Sequence, residues 1–199
     1  MRILPFFTML SFIFLLGCGD NDKAGTTGEP PEAAAAPSVF AEAEAALTEG
    51  ESAAGVSRLL MADFGAVSNA NGTLDMVASR DFAKIARALS DKYPADTVAA
   101  MPLYRSAEVV RAMNDPKRAA EVYRMVTERY PSFSKAPEAL FMLAFTYDED
   151  LKDLDAAKAT YEKFLAAHPT HSFADDTEML LKNLGKSDEE ILKALEKQN

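Results

Sequence analysis

The sequence predicts an all-α protein built of antiparallel helix pairs stacked one on another. Three observations lead there. The first is a period: Tyr93-Pro94, Tyr130-Pro131 and His168-Pro169 each close a helical pattern, and their prolines stand 37 and 38 residues apart. Alanine follows five residues after each proline, at Ala99, Ala136 and Ala174. Small residues stand twelve before the last two prolines, at Ala119 and Ala157, and aromatics eight before, at Tyr123 and Tyr161. Columns repeated at a fixed spacing mean stacked copies of one supersecondary unit. The second observation is apolar spacing of three and four residues with no competing strand-like alternation. The third is helix punctuation, in which Asp, Ser and Pro open the apolar runs and Pro follows them.

The first element is a leader. Met1-Arg2 supplies a basic start, Ile3 to Leu16 an apolar run, and Gly17-Cys18-Gly19 a small-residue zone, which is the anatomy of an export signal over residues 1–17. The run is shorter than the roughly 20 residues a helix needs to cross a bilayer. Cys18 is the only cysteine of the chain, so an exported protein has no partner for it in a disulfide. Residues 18–37 then form a tether. They combine Asp20, Asp22, Gly25, Gly28, Pro30, Pro31 and the run Ala33 to Ala36, with no large apolar side chain to offset the entropy of ordering. Fully extended at ~3.1 Å per residue, such a segment reaches about 60 Å.

Residues 38–72 carry two short helical patterns, Val39 to Leu47 and Ala53 to Val67, parted by Glu49-Gly50-Glu51-Ser52 and closed by Asn69-Ala70-Asn71-Gly72. They read as a degenerate first repeat or a capping hairpin, since end repeats are atypical. Residues 73–199 hold the repeats proper. One pair places Leu103, Tyr104, Ala107 and Val110 on its first helix, then Asp115-Pro116 as cap and first helical residue, then Ala119, Tyr123 and Val126. The next has Ser134 as the expected cap, Pro137 in the first turn, and Leu140, Phe141, Leu143, Ala144 and Tyr147 on a stripe. Its partner starts near Asp153 or Asp155 and carries Ala156, Ala157, Tyr161, Phe164 and Leu165. Last, Ser187-Asp188-Glu189-Glu190 is a capping box for a helix whose Ile191, Leu192 and Leu195 are expected to cover the final apolar face.

Two family resemblances follow from these residues. Leu15-Leu16-Gly17-Cys18 resembles the lipobox of bacterial lipoproteins, which implies that Cys18 is diacylated and becomes the first residue after cleavage. Two or more chains give a stable tether where a single one binds marginally, at about 0.8 kcal/mol per buried methylene. The helix pairs, over about Thr73 to Asn199, resemble tetratricopeptide repeats, although the spacing exceeds the standard 34 residues. That implies a short right-handed superhelix. Ser134 to Leu140 with Ala156, Lys158 and Tyr161 is similar to repeats of exported envelope proteins, including the Tol-Pal coordinator and the barrel-assembly lipoprotein. Phe173-Ala174-Asp175-Asp176, Asn183 to Ser187 and Glu189-Glu190-Ile191 more closely resemble repeat lipoproteins of Bacteroidota.

Chemistry is sparse. His168 and His171 are separated by Pro169 and lack the further ligands a zinc site needs, so no metal is expected. The acids Asp148, Glu149, Asp150, Asp153 and Asp155 lack the glycine and closing glutamate of a calcium loop; one of the last two is expected to cap a helix and the others to sit in solvent. No nucleophile arrangement or phosphate loop is legible, so neither enzyme activity nor a cofactor is expected. The aromatics Tyr104, Tyr123, Phe141, Tyr147, Tyr161 and Phe164 read as inter-helix core. A net charge of -10 argues against nucleic acid and against anionic headgroups, and loss of Arg2 with the leader takes it to -11.

The repeat resemblance implies an inner groove lined by the first helix of each pair. Counted from Met101 and Glu138, its columns fall on Arg105, Val109, Met142, Thr146 and Glu149. They lack the paired lysines and asparagines that clamp a peptide carboxylate, so a helix or extended segment of a protein partner is the expected ligand. The expected function is a non-catalytic scaffold for protein partners in the cell envelope, held through acyl chains on Cys18 in the outer membrane and facing the periplasm or the surface. A barrel-assembly accessory is the alternative within the binding class. An envelope enzyme or glycan-binding lipoprotein is the alternative outside it.

Overall fold

Each repeat closes in the same way, and that closure fixes the architecture. Tyr93, Tyr130 and His168 end their helices at φ near -130° and positive ψ, with φ/ψ of -127°/61°, -127°/56° and -136°/52°. The proline that follows excludes the α region for the residue before it, so the chain must leave the helix there. Three residues on, the backbone N–H of Asp96, Phe133 and His171 returns to the carbonyl of the helix-ending residue. Three further on, Ala99, Ala136 and Ala174 bond back in turn, at 3.0, 2.9 and 2.9 Å. These alanines are buried and stand at the start of the next helix.

The structure, a computed structural model, describes residues 37–187, 189–190 and 192–193. In order come α1 (Ala41–Glu49), α2 (Ala53–Ala62), a 3-10 turn (Phe64–Val67), α3 (Met76–Lys92), α4 (Ala100–Ala112), α5 (Pro116–Arg129), α6 (Ala136–Phe145), a π-helical turn (Thr146–Asp150), α7 (Leu154–Ala167) and α8 (Ala174–Asn183). Neighbours in sequence pack on one another from α3 to α8. The result is an all-α stack of helix pairs, with α4–α5 and α6–α7 as the two regular ones. The leader, Cys18 and the tether to residue 36 lie outside the described residues, as do Ile191 and Leu195.

Side-chain caps hold several starts. Asp75 accepts from the N–H of Val77 and Ala78, Asp115 from Arg118, and Asp153 from Ala156. Ser187 and Glu190 form the expected capping box, with Glu190 Oε2 accepting from the Ser187 N–H and the Glu190 N–H donating to Ser187 Oγ. Two expectations are corrected. Ser134 does not cap α6, because Lys135 holds the N-cap position without a side-chain bond and backbone turns start the helix. Leu192 does not cover an apolar face, being 61% exposed.

The core runs through the stack as the repeat columns demand. Ala119, Tyr123, Ala157 and Tyr161 are all fully buried. In α3 the same two columns hold Phe82 and Ala86, with large and small exchanged, and both are again fully buried. Phe82 therefore fills a different space, packing at 5.5 Å from the Phe40 ring and 4.9 Å from Phe64. The segment before α3 thus supplies the wall that a regular repeat would. Its loop turns at Asn69 and Gly72, the glycine at φ +81° taking a left-handed backbone that other residues rarely adopt, and Ser68 pairs with Leu74 in an isolated bridge.

Successive loops are also bonded together. The Tyr93 hydroxyl donates to the Glu51 carbonyl at 2.7 Å, and the Tyr130 hydroxyl to the Tyr93 carbonyl at 3.4 Å. Ser90 Oγ and the Tyr130 hydroxyl share a hydrogen bond of 2.9 Å, and Ser90 Oγ also accepts from Arg129 at 3.0 Å. Burial pushes the Asp91 carboxyl up, but bonds from Arg129 and Arg87 outweigh it and hold its pKa below the ordinary value. His168 stands in the third tyrosine column and instead packs its ring 5.5 Å from Phe164.

Candidate functional site

The surface with the most chemistry lies where α4 meets the end of α6. One face of α4 must enter the core, and Leu103, Ala107 and Val110 do so. The helical period then turns Arg105, Glu108, Arg111 and Ala112 the other way. Arg105 Nη1 bonds Glu108 Oε2 at 2.8 Å one turn along, and its guanidinium lies 5.7 Å from the centre of the Phe64 ring. Arg111 reaches across to the next pair. It grips Asp150 through Nε and Nη2, the latter 3.1 Å from Oδ1, and its guanidinium sits 5.1 Å from the Phe145 ring.

Between these groups is a pocket of about 430 Å³ lined by Glu108, Arg111, Ala112, Tyr123, Met142 and Asp150. Tyr123 belongs to α5, which packs against both α4 and α6, and it forms part of the pocket lining. The residue is fully buried, yet its hydroxyl has no hydrogen-bond partner in the protein. Burial, reinforced by the charge of Glu108, pushes its pKa well above the ordinary tyrosine value. The hydroxyl is thus held protonated and shut off from solvent next to a charged pocket.

A second pocket, about 540 Å³, lies at the far end between the π-helical turn and α8, with Asp148, Lys152, Leu154, Met179 and Leu184 in its lining. Asp148 is not in solvent as expected of the acidic cluster; it is 7% exposed, and Tyr161 donates to it at a long 3.4 Å. The π-helical turn is the reason, since its wider coil rotates Asp148 inward. Burial, with help from Glu149, raises the Asp148 pKa above the ordinary value. Asp153 caps α7 as one of the two alternatives had it. His171 Nδ1 accepts the Phe173 N–H at 3.2 Å, and its Nε2 lies 3.9 Å from Glu138. Among the described residues no group of three His, Cys, Asp or Glu is placed to hold a metal.

The five expected groove residues divide. Arg105 and Met142 lie on the α4–α6 face, Met142 in the pocket wall, and Glu149 borders the second pocket. Val109 and Thr146 do not reach a surface. Val109 is 4% exposed and packs with Phe40, Leu60, Phe82 and Ile85; Thr146 is fully buried, its hydroxyl donating to the Met142 carbonyl at 2.7 Å. Counting columns missed Glu108, Arg111, Tyr123 and Asp150. A signal for the first two was present, since the polar residues of α4 recur at Arg105, Glu108 and Arg111 while Val109 is apolar.

The family model of the tetratricopeptide repeat matches residues 103–132 and 138–171. Each match begins near the start of a first helix and runs past the second helix to the proline loop. Together they cover about a third of the chain and coincide with the two regular pairs that frame the pocket. No curated protein matches the chain.

Proposed function

We propose that this chain, whose residues 103–171 form a tetratricopeptide-type interaction scaffold, is a lipid-anchored envelope protein that holds a protein partner near a membrane. The observation that carries the binding half is the face shared by α4 and α6. It carries the Arg105–Glu108 and Arg111–Asp150 pairs, with the rings of Phe64 and Phe145 against the two guanidiniums, beside a pocket that has Met142 in its wall. Interfaces draw their affinity from such arginine and aromatic anchors, while rim charges set orientation. Repeat stacks of this type are non-catalytic scaffolds, and no reaction is assigned to this one.

The membrane half rests on Leu15-Leu16-Gly17-Cys18 and the polar segment after it. Among the described residues no helix is long and apolar enough to cross a membrane. A covalent acyl anchor supplies the attachment in this reading, the tether supplies reach, and an outer membrane facing the periplasm is the proposed location. The test is Cys18→Ser in cells expressing the full chain. It should move the protein from the membrane fraction to the soluble one at high salt; retention in the membrane fraction would overturn the anchor.

A further inference from the structure

The pocket between the π-helical turn and α8 holds a carboxylate that the protein leaves without a cation. Asp148 lines that pocket and is 7% exposed. Its Oδ2 accepts from the Tyr161 hydroxyl at 3.4 Å, while Oδ1 accepts from no donor among the described residues. Oδ1 is nonetheless open to solvent, because among the described residues the sealed side-chain oxygens without a partner are those of Tyr123 and Glu138. Both lysines of the lining are engaged elsewhere. Lys152 Nζ donates to Glu149 at 3.1 Å, and Lys186 Nζ donates to the Lys182 carbonyl at 2.6 Å and to Asn183 Oδ1 at 3.4 Å. A carboxylate taken out of water without a countercharge is costly, and burial with the Glu149 charge raises the Asp148 pKa accordingly.

We propose that this pocket receives a lysine side chain of a protein partner, its ammonium group donating to Asp148 Oδ1. The site is separate from the α4–α6 face and does not rest on the reading of that face. Charge selects a cation, since Asp148 lacks one and the chain as a whole carries a net charge of -10 that draws basic segments toward it. The wall selects a long apolar stem. Leu154 is 40% exposed and Met179 is 56% exposed, and with Leu180 and Leu184 they offer the pocket a surface along which a methylene chain can lie. One free oxygen selects ammonium over guanidinium, because a guanidinium binds best through both oxygens of a carboxylate and Oδ2 is already held by Tyr161. A metal ion would need further ligands, and among the described residues no group of three His, Cys, Asp or Glu is placed to supply them.

The test titrates the full chain, in detergent and with labelled methionine methyl groups, with N-acetyl-lysine methylamide, its counterpart acetylated on the side-chain nitrogen, and the arginine counterpart. The lysine probe should shift the Met179 methyl signal and bind at least about five-fold tighter than the other two, as a hydrogen bond to a charged group allows. Asp148→Asn should abolish that preference while raising the urea midpoint at pH 7, so that lost binding is not lost folding. Asp155→Asn changes the net charge equally at an exposed position outside the pocket and should leave the preference intact. Equal affinity for the three probes, tighter binding of arginine than of lysine, a preference that survives Asp148→Asn, or one lost equally in Asp155→Asn overturns the site. A lysine probe that binds only after Lys197→Gln puts the chain's own tail in the pocket and overturns the partner as its occupant.

Discussion

Asp148 shows at the scale of one residue how backbone geometry overrides composition. Five acids within eight positions read as a solvated cluster, yet the π-helical turn carries Asp148 into the space beside Tyr161. A carboxyl whose folded pKa lies above its unfolded value binds its proton more tightly in the folded state. Its contribution to stability is therefore complete below the ordinary value of 3.8 and is lost as pH rises through the folded value. Asp148→Asn keeps an acceptor for Tyr161 and removes the buried charge. It should raise the urea midpoint at pH 7, with the gain shrinking as pH falls toward 3.8. A lower midpoint at pH 7 would contradict the burial penalty. No sequence rule used above distinguishes this aspartate from Glu149 beside it, because one residue of extra coil decides which of them turns inward.

At the scale of elements, the repeats were legible because steric rules apply at every copy. A proline ends α3, α5 and α7, a buried alanine opens the helix that follows each, and in α5 and α7 a tyrosine fills the core column. The pair of α2 and α3 was less legible because Phe82 and Ala86 exchange the sizes of the two columns and the intervening loop is longer. Caps divide similarly. Asp115 precedes a proline at the first helical position and does cap α5, whereas Ser134 precedes a start made by backbone turns. Asp115→Ala should cost about 1 kcal/mol in chemical denaturation. Ser134→Ala should change stability by less than about 0.5 kcal/mol, as expected for an exposed residue without a structural role. Equal losses would mean that Ser134 caps α6 after all. The groove was half legible for the same kind of reason, since a helix rotated by one position exchanges Val109 for Glu108 on the exposed face.

For the whole molecule, period and composition predicted a helical stack and gave its order of elements, while the residues that meet a partner emerged only once the pairs were packed. Arg111 and Asp150 are 39 positions apart and belong to different repeats, and Tyr123 reaches their pocket from a third element. The same stack presents two different sides, the α4–α6 face with its pocket and the outer side of α5, where Glu121 is exposed. The central claim is that the first side carries the partner and that Cys18 delivers it to the membrane. A photo-crosslinking residue placed at Met142, and in parallel at Glu121, in the full chain within intact cells tests both parts at once. The account predicts one recurring protein adduct from Met142, none from Glu121, and loss of that adduct when Cys18 is replaced by serine. No adduct from Met142, or the same adducts from both positions, would contradict it.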